Sequence, residues 1–159
     1  MIRTTALATA LVASAAACGS EGPACGPTEA VVARAIDGDT IELATGERVR
    51  YLMVDTPEST TEVECYGENA RAFNADLVTG KTVQLRYDVE CTDRFGRLLA
   101  YVTVDGQEIN RILVERGYGC VLHIPPNGDD RKDEFDMLEY RARAEGRGLW
   151  SACTSPLPC

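Results

Sequence analysis

The sequence predicts an α+β domain that is mainly β, a five-stranded barrel of the OB type carrying three helices. Three observations lead there. Five short strand-like runs occupy residues 30–36, 40–43, 49–54, 83–87 and 98–104. Tight-turn residues, Asp37-Gly38 and Thr45-Gly46-Glu47, separate the first three runs and make them a meander. Helical stretches are interposed only later in the chain.

The first of these helices, 67–78, places Ala70, Phe73 and Leu77 on one face and stops at Gly80. The second, 108–116, buries Ile109, Ile112 and Leu113 and is closed by Gly117. The third, 130–145, turns Phe135, Leu138 and Ala142 inward. The chain has no internal repeat, and its one compositionally biased tract is at the N-terminus. Its 159 residues, 45% hydrophobic and 26% charged, suffice for one globular domain with a true core.

That N-terminal tract reads as an export signal rather than as part of the fold. Arg3 is the only charged residue in the first seventeen, and residues 6–17 are apolar and alanine-rich. The stretch is shorter than the ~20 residues that span a bilayer. Its ending, Ala15-Ala16-Ala17-Cys18, resembles a lipobox with Ala15 where Leu is more usual. Cys18 would then be the lipidated first residue of a membrane-anchored protein; cleavage without lipidation would give a secreted one. The expected organisation is a signal peptide over 1–17, a tether over 18–27, the domain over 28–150 and a cysteine-containing tail over 151–159.

Cysteine usage agrees with export. Seven cysteines stand at 18, 25, 65, 91, 120, 153 and 159, and setting Cys18 aside leaves an even set for three disulfides. No C-x-x-C spacing occurs, which argues against a zinc ribbon or a thioredoxin-type site. Spacing alone leaves fifteen pairings open. The single histidine, His123, excludes any mechanism that needs two imidazoles within this chain.

The chemistry lies in the acids and arginines. Asp37-Gly38-Asp39-Thr40 forms the turn between the first two strands, and Asp55-Thr56-Pro57-Glu58 follows the third. Antiparallel neighbours bring these stretches together, so Asp39, Asp55 and Glu58 share a neighbourhood where like charges repel unless a cation enters. Oxygen donors favour a hard cation, Ca²⁺ or Mg²⁺, over zinc. Arg50 interrupts an apolar strand and Arg97 follows Phe95-Gly96. Two guanidinium forks beside such acids describe a phosphate site.

The run Ala35-Ile36-Asp37-Gly38-Asp39-Thr40, then Val49-Arg50 leading to Val54-Asp55-Thr56-Pro57-Glu58, resembles the staphylococcal nuclease (thermonuclease) family. Cys65-Tyr66-Gly67-Glu68-Asn69-Ala70, Asp93-Arg94-Phe95-Gly96-Arg97-Leu98-Leu99-Ala100-Tyr101 and Gly148-Leu149-Trp150 continue the match in order. The resemblance covers about residues 28–150. It implies an OB-fold barrel and Ca²⁺-dependent hydrolysis of DNA and RNA. It also implies that Asp39 and Asp55 bind Ca²⁺ by carboxylate and Thr56 by its carbonyl. Glu58 would be the general base, with Arg50 and Arg97 holding the phosphate. Arg94, Phe95 and His123 would touch substrate.

Phe95 stands where the best-known member of the family has Tyr, so one hydroxyl contact to the phosphate is missing. In the stretch 122–126, His123 and Pro125 would take places that tyrosines fill there. The resemblance further suggests the disulfides Cys65–Cys91, Cys120–Cys153 and Cys25–Cys159.

The expected protein is thus an exported, monomeric, Ca²⁺-dependent nuclease. The alternative is a non-catalytic cell-surface module on the same barrel, binding nucleic acid or protein. The formal charge of −9 and pI near 4.6 argue against tight gripping over a broad basic surface. They leave room for a local patch of Ca²⁺, Arg50, Arg97 and Arg94, acting within a screening length of about 8–10 Å.

Overall fold

The computed structural model describes residues 25–154. The signal segment, Cys18 and Cys159 lie outside them. Among the described residues no helix is long and apolar enough to cross a membrane.

Five strands form the barrel: β1 (Glu29–Ala35), β2 (Thr40–Leu43), β3 (Arg48–Tyr51), β4 (Thr82–Arg86) and β5 (Leu98–Val104). They are joined by a two-residue strand, β6 (Gln107–Glu108). The sheet order is β3-β2-β1-β4-β5-β6, and a parallel β3–β5 pairing closes it. Closure gives the inward residues a common interior: Val32, Ile41, Leu43, Val49, Tyr51, Val83, Leu85, Ala100 and Val102 are all buried. An irregularity in the β1–β2 register between Val32 and Arg34 bends β1.

Strand three is shorter than its apolar run suggests. Met53 has φ 64°, which an extended strand cannot accommodate, so β3 stops at Tyr51 while Leu52, Met53 and Val54 stay buried as a turn. The chain is thereby turned out of the barrel wall just before Asp55.

The helices are α1 (Gly67–Val78), α2 (Ile109–Glu115), α3 (Lys132–Ala144) and a single turn, α4 (Leu149–Ala152). In α1, Ala70, Asn74 and Val78 lie one turn apart and are buried, with Phe73 and Leu77 packed beside them. α2 buries Ile109, Asn110, Leu113 and Val114, and α3 buries Phe135, Leu138 and Ala142. Asn110 reaches from α2 to the Leu52 carbonyl at 2.9 Å and takes the Val102 amide at 2.8 Å, locking the turn after β3 to β5.

The disulfides differ from the expected set. Cys25 pairs with Cys91, and Cys65 with Cys153, so the suggested Cys65–Cys91, Cys120–Cys153 and Cys25–Cys159 bridges do not form. Cys120 is disulfide-bonded as well. The register explains the first bridge. β1 runs antiparallel to β4 with Glu29 opposite Gln84, so the chain before β1 lies beside the chain after β4. The second bridge forms because α4 returns to the start of α1, where the Cys65 sulfur also lies 3.9 Å from the Ala152 carbonyl. Each bridge ties a residue outside 28–150, Cys25 or Cys153, to one within it. They close spans of 66 and 88 residues, worth about 4–5 kcal/mol each in the chain-entropy picture.

Candidate active site

The barrel delivers three chain segments to one place. Asp39 ends the β1–β2 turn, Arg50 lies on β3 opposite Thr40, and Asp55 follows the Met53 turn. Asp55 is also bridged to Cys120, with amide-to-carbonyl distances of 2.9 and 2.7 Å.

Asp39 is buried and heavily restrained. Its Oδ2 accepts the Thr56 amide at 2.8 Å and the Thr56 hydroxyl at 3.0 Å, while Oδ1 accepts the Thr40 hydroxyl at 3.0 Å. The Arg50 guanidinium lies between the acids: Nη1 is in ionic contact with Asp39 Oδ2, and Nη2 donates to Asp55 Oδ1 at 2.7 Å. Nη1 is buried yet makes no aligned hydrogen bond among the described residues. The Asp39 carboxylate supplies the counter-charge for this nitrogen. Burial raises the Asp55 carboxyl above its ordinary range, although Arg50 pulls it down. Nothing among the described residues donates to the Thr56 carbonyl.

Glu58 is set apart from this cluster by its own loop. Its carboxylate accepts the Ser59 amide at 3.1 Å, the Thr60 amide at 3.0 Å and the Thr60 hydroxyl. The Thr60 hydroxyl is the main reason its pKa falls below the usual value. Glu58 is therefore held ionised. Asp37 links the two regions, because Ser59 donates its hydroxyl to Asp37 at 2.8 Å. Burial pushes the Asp37 carboxyl up to about 6, against the pull of the Gly38 amide and the Ser59 hydroxyl. Behind it, buried Asn74 donates to the Asp37 carbonyl at 3.0 Å and accepts the Tyr51 hydroxyl at 2.9 Å.

Arg50 also lines a cleft of about 480 Å³, whose walls include Arg94, Phe95, Arg97, Leu99, Leu122 and Ile124. Arg97 is held locally: Asp93 accepts its Nε at 2.6 Å and the Arg97 and Phe95 amides at 3.0 and 2.9 Å. Burial would raise the Asp93 pKa, but those bonds outweigh it and the net shift is downward. The exposed Phe95 ring carries the Arg94 and Arg97 guanidiniums at 4.7 and 5.5 Å.

Arg50, Asp39, Asp55 and Thr56 are thus in mutual contact, directly or through one side chain, and Arg94, Phe95 and Arg97 line the same cleft as Arg50. His123 does not line that cleft; it bonds Asp129 at 2.8 Å, and its neighbours Leu122 and Ile124 face the cleft instead. Pro125 is likewise not among the lining residues. Sequence reasoning gave Asp37, Asn74 and Asp93 no role. For Asp93 a signal existed: Asp three residues before Gly96, which has φ 78°, is the pattern of a turn that folds onto its own amides.

Among the described residues no group of three or more acids, histidines or cysteines is placed to hold a metal ion. The donors present are two carboxylates, Asp39 and Asp55, and the Thr56 carbonyl. Such an oxygen set suits a hard cation that completes its shell with water or substrate.

A family model described as "Staphylococcal nuclease homologue" matches residues 48–152. The chain belongs to the staphylococcal nuclease family. The matched stretch holds Arg50, Asp55, Thr56, Glu58, Arg94, Phe95 and Arg97, while Asp39 precedes it. Among curated relatives, Endonuclease YncB of Bacillus subtilis (strain 168) is 38% identical over 125 residues, covering 74% of this chain and 59% of that protein. SPbeta prophage-derived endonuclease YokF of the same strain is also 38% identical over 125 residues, covering 74% of this chain and 42% of the relative. Thermonuclease of Staphylococcus intermedius is 37% identical over 123 residues, 74% of this chain and 70% of that protein. The chain thus spans between two fifths and three fifths of the two Bacillus relatives. The barrel described above is the OB fold of the family.

Proposed function

We propose that this protein is an exported, Ca²⁺-dependent nuclease that hydrolyses phosphodiester bonds of DNA and RNA. The observation that carries this reading is the Arg50 guanidinium, fixed between Asp39 and Asp55 on the wall of a cleft that also holds Arg94 and Arg97. The endonuclease and thermonuclease names of the relatives support it.

Asp39, Asp55 and the Thr56 carbonyl would hold the cation, and its contribution there is Lewis-acid polarisation of a phosphate oxygen, worth several kcal/mol. Arg50 and Arg97 clamp the phosphate from two sides and gain strength as charge builds on it. Glu58, ionised and beside Asp37, accepts a proton from the attacking water. The water oxygen bonds to phosphorus, one ester P–O bond breaks, and the departing oxygen takes up a proton. Phe95, Leu122 and Ile124 offer apolar surface to a base.

The two bridges Cys25–Cys91 and Cys65–Cys153 favour an oxidising compartment. With the N-terminal signal they support export, ending in a lipid anchor at Cys18 or in free secretion. Mass spectrometry of the exported protein separates these two ends.

The function is tested by following cleavage of DNA and RNA in Ca²⁺, in chelator, and with Glu58→Gln. Chelation should abolish activity, and E58Q should lower kcat by about 10²–10⁴-fold. Activity indifferent to both would overturn the mechanism.

A further inference from the structure

We infer that the hollow walled by Tyr66, Tyr118 and Arg116 is a second nucleotide subsite, which binds single-stranded substrate away from the catalytic cleft. The inference rests on the nuclease reading above. The hollow measures about 650 Å³, within the ~300–1,000 Å³ of typical ligand sites. It shares no lining residue with the cleft around Arg50 and Arg97.

Its walls carry the chemistry that single strands use, aromatic faces beside cations. The Tyr66 and Tyr118 rings lie 5.4 Å apart at 36°, and Tyr118 stacks on Phe73 at 4.0 Å and 4°. The Phe73 stack fixes the Tyr118 ring, so little freedom remains to be lost when a base arrives. Tyr66 has φ 74°, a conformation that a bulky residue adopts only where its surroundings impose it.

The cations differ in their ties. Arg147 is bonded to the Glu115 carbonyl at 2.7 Å and to the Glu145 carboxylate. Arg116 is exposed, has no carboxylate within ion-pair distance among the described residues, and lies 5.8 Å from the Phe73 ring. Glu145 balances Arg147, so Arg116 is the cation of this wall without an ion-pair partner among the described residues.

Both tyrosines stand one residue from backbone that touches the site. A Cβ at Gly67 would come within 2.2 Å of the Glu58 carbonyl, and one at Gly119 within 2.7 Å of the Asp55 carbonyl. The chain next to each tyrosine is thus packed against Glu58 or Asp55, which puts the hollow within a short span of chain from the site residues.

The test is a length series of single-stranded DNA, from about 2 to 12 nucleotides. It is cleaved in Ca²⁺ by the wild type, by Arg116→Glu and by Lys132→Glu. The K132E change alters the net charge equally, but on α3 and outside the hollow. For the wild type kcat/KM should rise with length. R116E should remove about tenfold of that rise, mainly through KM, and K132E should keep it. Equal length dependence in wild type and R116E, or an equal loss in K132E, overturns the subsite. If the wild type cuts no length, the nuclease reading fails instead, and fluorescence anisotropy with a labelled 12-mer then decides. Binding about tenfold weaker in R116E supports the hollow as a binding site, and unchanged binding removes it. Arg116→Gln, milder on an exposed position, repeats each comparison if R116E fails to fold.

Discussion

Arg50 and Arg97 reach the same cleft from unlike settings. Arg50 sits on a barrel strand, paired with Thr40 of β2 on one side and Leu99 of β5 on the other, and its side chain is 12% exposed. Its guanidinium is held by acids from two further segments. Arg97 sits just after a turn, is 30% exposed, and is held by Asp93 four residues earlier. The position of Arg50 is therefore a product of the closed barrel, whereas that of Arg97 is a product of five consecutive residues. Disturbing the first should damage fold and chemistry together; disturbing the second should separate them.

The largest effect is expected at Arg50. Arg50→Ala would leave the buried Asp39 carboxylate without its counter-charge, and breaking a buried pair costs about 3–5 kcal/mol. Loss of a phosphate donor should also lower kcat by about 10²–10³-fold. Urea unfolding and cleavage rates measure the two parts. Added Ca²⁺ should restore part of the lost stability, because it would neutralise the same two acids. A stability loss identical with and without Ca²⁺ would detach Arg50 from the metal site.

At Asp93 the two effects should come apart. Asp93→Asn keeps the shape of the turn but weakens the hold on Arg97, and kcat should fall about tenfold, within the range for a misplaced clamp. The pH dependence has a definite sign. Because the folded-state pKa of Asp93 lies below its ordinary 3.8, the folded chain binds fewer protons than the unfolded one there. Its stabilisation is present above that ordinary value and is lost as pH falls through the lowered one. The stability gap between wild type and D93N should thus stand at pH 6 and close in stronger acid. A gap constant down to pH 2 would mean that Asp93 acts through something other than its charge.

The same contrast explains what the sequence could reveal. Local features were legible. The strand-like runs at 30–36 and 98–104, the turn residues at Asp37-Gly38 and the spacing of Ala70, Phe73 and Leu77 each act over a few residues. Asp39, Arg50 and Asp55 were legible as a cluster because meander turns force neighbouring strands together. The end of β3 was not, since Leu52-Met53-Val54 is as apolar as a strand, and only the turned backbone at Met53 breaks it. The disulfides were not, since they depend on where loops end in space. At 122–124 Leu122 and Ile124 line the cleft, while His123 is turned to Asp129.

The smallest effect on the fold, and the sharpest test of the local character of the Arg97 region, lies at Phe95. The residue is 69% exposed and packs on no core side chain, so Phe95→Ala should change stability by no more than about 0.5 kcal/mol. Its ring can meet a base by stacking, worth about 1–3 kcal/mol per base, so KM should rise by about 5- to 100-fold with kcat little changed. The ring also lies under the Arg94 and Arg97 guanidiniums, and this gives the measurement a second reading. If kcat falls while KM holds, the Phe95 ring serves to position Arg97, and the five-residue turn needs that ring as well as the Asp93 carboxylate. If KM rises alone, Asp93 is sufficient to place Arg97, and Phe95 belongs to the substrate.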